Sequence, residues 1–234
     1  MATGQLSSAP AANGRRSLGS AAYKAIYSHI VSLKFVPGQH LEEAALVEEL
    51  GIGRTPVREA LQRLEADLLV ESQPGKGFVV RPLTLQNTRA AFTALHILEM
   101  GVAALAVRPR TTLLLGERRH AHQRVGGAGS GVNNYQLVEA NRAFHGAYAR
   151  FSEKTYLVPG PAKMRWGTNP TAYLSFGNEI DPGRTLQEHY ASVIDQHNQI
   201  IAAMRSRSED ALKAVIMDHI EIFKKRIIHY LAEL

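Results

Sequence analysis

Three histidines and a pair of arginines are the residues of this chain best placed for chemistry. His197 falls on a helical face with Tyr190, Val193, Ile200 and Met204, and His219 on one with Leu212, Val215, Ile216 and Phe223. Asn141 and His145 are one turn apart, so both can point at one spot. Imidazole suits zinc, nickel, copper or iron. Three imidazoles and an oxygen donor, projecting from inward-facing helices, can coordinate a divalent metal inside a bundle. An open coordination position there can take a carboxylate. Yet a lone histidine on an apolar face is ordinarily a hydrogen-bonded core residue, so periodicity alone leaves both readings open.

The arginines are Arg54 and Arg58, four residues apart and so on one helical face. Arg54 and Thr55 stand at the mouth of a helix, and that end of a recognition helix enters the DNA major groove. Arginine pairs bidentately with guanine or with a phosphate, and free N–H groups at a helix start also hold phosphate. Thr55 can donate to a phosphate oxygen or cap the helix. Lys76 lies between Gly75 and Gly77, where a bare backbone lets a turn approach DNA closely. The competing reading is a solvated helical face. Net charge does not decide between them: residues 1–82 hold nine Lys/Arg against eight Asp/Glu.

The elements that must position these residues follow from periodicity. Residues 1–16 are Ala-, Gly- and Ser-rich, lack large apolar side chains and are expected to form a disordered tail. Tyr23, Ile26, Tyr27, Ile30 and Val31 mark an amphipathic helix, ended by Pro37-Gly38. Leu41, Ala45, Leu46 and Leu50 suggest a second helix, stopped at Gly51. The third starts after Gly53-Arg54-Thr55, carries Pro56 in its first turn and has an apolar face of Val57, Ala60, Leu61 and Leu64. Residues 68–70 and 78–80 read as two strands around a turn. This order is that of a winged helix-turn-helix, three helices with a small β-hairpin wing, over residues 17–83.

Residues 84–234 read as an all-α antiparallel helical bundle, so the fold class is mainly α. Helices are expected over 90–107, 111–125, 135–151, 185–205 and 208–234. Gly126 to Gly131 is a flexible connector. Pro159, Pro161, Pro170 and Pro182 punctuate a middle, 155–184, that reads as irregular.

Composition narrows the classes. The 234 residues are 45% hydrophobic and 21% charged, ordinary for a globular protein. No cysteine is present, which excludes disulfides, thiolate zinc sites and a cysteine nucleophile. No continuous apolar run reaches the length of about 18 residues that suggests a membrane span. Met1 to Ser20 has no signal-peptide core, so the chain reads as cytoplasmic with no membrane partner. The net charge of +6 favours a polyanion partner only weakly.

The run Arg54-Thr55-Pro56-Val57-Arg58-Glu59-Ala60-Leu61, with Leu50-Gly51-Ile52 before it, Arg63-Leu64-Glu65 after it and Gly75-Lys76-Gly77 beyond, resembles the DNA-binding head of the GntR family of bacterial transcription regulators. The resemblance implies DNA contacts from Arg54, Thr55, Pro56, Arg58, Arg63, Lys76 and Gly77. It implies a homodimer on a palindromic double-stranded operator, more often repressing than activating. Two positions depart from the family pattern. Gly53 stands where Ser or Thr is usual, which loses a side-chain cap. Leu68 stands where Gly is usual, and a left-handed cap there is costly.

The rest resembles the FCD-type helical effector domain of the FadR branch, on Leu98-Glu99, Asn141-Arg142-Ala143-Phe144-His145, His197 with Ile200 to Met204, and Met217-Asp218-His219-Ile220. The resemblance implies a divalent metal, zinc or nickel first, on Asn141, His145, His197 and His219, with Asn141 where many members have Asp. It also implies a small carboxylate effector, with His96 at the place of a pocket-lining basic residue. Arg165 is a candidate anion partner, read as lying in the irregular middle. Two other functions fit the helical part less well. A helical-bundle metalloenzyme lacks a general base beside the histidines, because Asp218 points to another helix face. A metal-free acyl-CoA-type sensor leaves the three histidines unexplained.

Overall fold

The structure, a computed structural model, describes residues 11–75, 77–107, 133–152, 159–177, 183 and 185–232. It divides into two units, Met1–Arg81 and Pro82–Leu234.

The apolar stripe Tyr23, Ile26, Tyr27 and Ile30 of α1 (Ala11–Val31) is buried, and the helix packs on α3 (Arg54–Ala66). The helix begins inside the stretch expected to be a disordered tail. Extending a helix already fixed by packing costs far less than nucleating one, so the small residues after Ala11 join it. Between them lies α2 (Glu43–Leu50), closed by Gly51 at φ 62°. Leu41, read as the start of that helix, instead forms β1 (His40–Leu41). β1 and β2 (Val70–Gln73) flank β3 (Gly77–Val80), all antiparallel. The wing is therefore three-stranded rather than a simple hairpin. Two residues are too few to show an alternation, and β1 exists because Leu41 is buried opposite Phe78.

The start of β2 is displaced to Val70 because Leu68 and Leu69 close α3. Leu69 N–H donates to the Leu64 carbonyl and Leu68 N–H to that of Glu65, both at 2.9 Å. This pair of bonds is a Schellman closure, which needs a left-handed residue. Leu68 takes it at φ 64° although it is not glycine. Its Cβ strain is worth about 1–2 kcal/mol. The closure is required because it turns the chain directly into the wing.

Among the described residues, five helices build the second unit. α4 (Leu85–Ala106) is capped by Thr84, and α5 (Asn134–Arg150) by Asn133 in a capping box with Gln136. α6 is Pro159–Gly177. α7 (Leu186–Ser206) starts in a Thr185/Glu188 capping box. α8 (Glu209–Ala232) starts where Ser208 Oγ accepts from Ala211 N–H. α4 packs on α6 and α8, α5 on α6, and α7 on α8. On length and composition α4 is apolar enough to cross a membrane, which the search for a continuous apolar run does not show because polar residues interrupt it. Its residues Phe92, Leu95, Val102 and Ala103 are buried in the unit.

The middle read as irregular holds α6. Pro159 and Pro161 sit in its first turn, where a missing N–H costs little. Pro170 lies inside it, where proline removes one backbone bond, and tertiary packing carries the helix through: Thr168, Thr171, Leu174, Ser175 and Phe176 are all buried. The expected helix 111–125 and the connector 126–131 lie outside the described residues.

Leu68→Gly is expected to raise stability by up to about 1 kcal/mol by relieving the left-handed strain. Leu68→Ala keeps the strain, loses half-buried side chain and lowers stability. Urea-unfolding midpoints of the two variants check the opposite signs.

Candidate nucleic-acid interface and metal centre

In the first unit α3 presents two faces. Pro56, Val57, Ala60, Leu61 and Leu64 are buried. Arg54, Thr55 and Arg58 are exposed at its start. Gly53 is the N-cap and makes no side-chain cap bond, as its missing side chain requires. The arginines are not free-standing. Arg54 Nε donates to Glu43 Oε2 at 3.2 Å, and Arg58 Nε lies 3.8 Å from Glu43 Oε1.

The structure gathers Arg54, Thr55 and Arg58 but not every residue expected with them. Pro56 is buried, so it shapes the helix start rather than forming a contact surface. Arg63 is about 140° round the helix from Arg58 at 100° per residue. Its guanidinium sits 4.5 Å from the centroid of the Tyr23 ring, and Tyr23 in turn donates to Asp67 at 2.8 Å. Arg63 thus ties α1 to α3 by a cation–π contact. Gly77 opens β3 at φ 77°, a conformation that favours glycine. Lys76 lies outside the described residues. Glu43 escapes sequence reading because nothing in spacing links the first turn of α2 to the first turn of α3.

In the second unit the three histidines converge. His145 from α5, His197 from α7 and His219 from α8 are each no more than 2% exposed. His145 Nε2 lies 2.9 Å from His219 Nε2, and His197 Nε2 lies 3.4 Å from it. One ligand atom from each ring falls within 4.8 Å of the others. His219 Nδ1 faces Gln196 Oε1 at 3.0 Å. A carbonyl oxygen only accepts, so Nδ1 carries the proton and the lone pair of a neutral His219 points from Nε2 into the cluster. Phe144 stacks on His197 with centroids 3.8 Å apart, fixing that ring too. Asn141, one turn before His145, is 8% exposed, and its Oδ1 is buried without a hydrogen-bond partner. Nitrogen lone pairs brought this close need a shared proton or cation between them. The donor set, with a fixed tautomer and a spare amide oxygen beside it, fits a divalent metal. Among the described residues the cluster contains no carboxylate, and Asp218 is exposed.

Beside the histidines lies a small cavity of about 20 Å³, partly open to solvent. Its walls include Asn141, Arg142, Arg165, Thr168, Thr171 and His219. Arg165 is therefore a buried helical residue, not part of an irregular loop. Its Nε and Nη2 donate to Glu99 Oε1 at 2.9 and 2.6 Å, and Glu99 is fully buried. Tyr148 lies near this pair; burial pushes its hydroxyl well above the usual tyrosine range, Glu99 adds to the rise and Arg165 opposes it. His96 is half-buried on α4 and is not among the cavity walls. Gln196 and Arg142 are the residues the sequence reading misses. Gln196 adjoins His197, and Arg142 lies between the two α5 donors, yet only the packing of α7 and α8 reveals the first and only the cavity the second.

Residues 18–80 match the family model for bacterial regulatory proteins of the gntR family, and residues 90–222 match the FCD domain. The chain belongs to the GntR family and carries an FCD domain. The Uxu operon transcriptional regulator of Escherichia coli is 25% identical over 225 residues, covering 86% of this chain and 83% of that protein. The Nta operon transcriptional regulator of Aminobacter aminovorans is 24% identical over 191 residues, covering 82% and 85%. The solved structure of E. coli McbR/YncC has the same fold, with a TM-score of 0.70 at 24% identity over 93% of this chain and 99% of that one. This GntR-family chain is thus a DNA-binding transcription regulator, and its relatives are regulators rather than enzymes.

Arg165→Met removes one partner of a buried pair and leaves Glu99 uncompensated, so it is expected to cost about 3–5 kcal/mol. Arg165→Met with Glu99→Leu restores most of that loss. Chemical denaturation of the two variants checks the recovery.

Proposed function

We propose that this regulator senses a small organic acid through a metal held by Asn141, His145, His197 and His219, and that it acts as a homodimeric repressor on a palindromic operator in the cytoplasm. The observation that carries the sensing half is the convergence of three imidazole Nε2 atoms with the Gln196 carbonyl oxygen fixing the tautomer of one. Zinc or nickel bound there would supply a Lewis acid for a carboxylate oxygen. The protein's own residues do the remainder. Asn141 brings an uncharged oxygen, so the set holds its metal less tightly than one with a carboxylate. Arg165 lines the same cavity and offers positive charge to an anionic ligand, and Glu99 fixes its position. Arg142 adds a second guanidinium, held by Glu139.

On the DNA side, Arg54, Thr55 and Arg58 form the reading edge of α3. Two-fold symmetry sets the two recognition helices about 34 Å apart, one turn of the duplex. The effector changes DNA binding only if it prefers one arrangement of the dimer over the other.

Two experiments test these halves separately. Purified protein loaded with zinc or nickel chloride and dialysed is expected to keep about one metal per chain by elemental analysis, and His197→Ala/His219→Ala none. Equal retention by the double variant overturns the site. Arg58→Ala is expected to weaken binding to a selected operator by about 1–3 kcal/mol, and unchanged binding removes Arg58 from the reading edge.

A further inference from the structure

The two exposed arginines at the mouth of α3 converge on one carboxylate. Glu43 is the first residue of α2, and its side chain is 18% exposed against 79% for Arg54 and 62% for Arg58. Oxygen Oε2 accepts from Arg54 Nε at 3.2 Å, and Oε1 lies 3.8 Å from Arg58 Nε. Arg54 thus hydrogen-bonds Glu43 through its Nε edge, and Arg58 presents the same edge to it as a looser ion pair. A guanidinium has more than one bidentate edge, and with the Nε edge turned to a carboxylate the end-on Nη pair is left to meet guanine O6 and N7.

Stability does not account for this arrangement, because exposed ion pairs contribute little. An unbuttressed arginine samples many rotamers and meets a phosphate as readily as a base. A carboxylate on its Nε edge fixes the plane of the fork and directs the Nη pair outward. The same negative charge sits among groups that approach the DNA backbone and weakens indiscriminate phosphate binding. We propose that Glu43 is a positioning residue for specificity: it orients Arg54 and Arg58 toward base edges and lowers affinity for non-cognate DNA. This rests on the assignment of those arginines to the reading edge.

The test is selection from a random-sequence duplex library with full-length protein, first wild type and then Glu43→Gln. The duplex enriched by wild type and an unselected duplex are then titrated with both proteins at several salt concentrations. Glu43→Gln is expected to bind the unselected duplex several-fold more tightly, to lower the ratio of selected to unselected affinity by about tenfold, and to enrich a motif blurred at the bases the arginines contact. In an Arg54→Ala/Arg58→Ala background the substitution is expected to leave that ratio unchanged. Thermal melting separates this from a folding effect, since an exposed pair moves the midpoint little. An unchanged motif and ratio with Glu43→Gln, while wild type still enriches, overturns the positioning role and leaves the reading edge standing. No enrichment by wild type overturns the reading edge and the role together.

Discussion

Three imidazoles meeting in a nearly dry core set the constraint around which the helical unit is arranged. Their ring nitrogens are too close to be left as three bare lone pairs, and burial removes the water that would otherwise separate them. α5, α7 and α8 must therefore hold a fixed rotational register, since a slip of one residue turns a side chain by about 100° and empties the centre. The neighbouring contacts serve this register. Phe144 stacks on one ring, Gln196 fixes the proton of another, and the capping boxes at Asn133 and Thr185 define where two of the three helices begin.

The cavity beside the histidines inherits its polarity from the same economy of burial. Arg165 reaches it only because Glu99, fully buried on α4, accepts two bonds from its guanidinium. A buried ion pair is a weak source of stability and a strong source of geometry. Here it holds a guanidinium in the wall of the cavity that Asn141 and His219 also line. The head follows a different logic, with its charges exposed and paired loosely, so that orientation rather than free energy is what the pairing supplies.

Much of this was legible from the residues alone. Helices with a clean apolar stripe, α1, α3, α7 and α8, are readable because burial imposes the period that reveals them. The histidine set is readable for the same reason. α6 is not, because its prolines and glycines mark a loop in any local reading and only tertiary contacts, chiefly from α4, α5 and α8, stabilise it. With α6 goes Arg165, whose partner lies 66 positions away. β1 is two residues long and is created by β3. Glu43 and Gln196 act across a turn and across a helix pair, distances over which sequence carries no spacing signal. Arg63 and Pro56 illustrate the converse: a run read as one unit includes a side chain packed on the Tyr23 ring and one that is buried.

The left-handed closure of α3 is not isolated. Leu33 and Arg207 also sit at positive φ, at 59° and 55°, where the chain leaves α1 and α7. Each such residue costs about 1 kcal/mol or more, against a total stability of about 5–15 kcal/mol for a typical domain. Among the described residues the chain thus carries a heat-tolerance reserve at three helix exits. A search for hardier variants has its simplest targets there, at positions where the backbone shape is already correct and only the side chain is wrong.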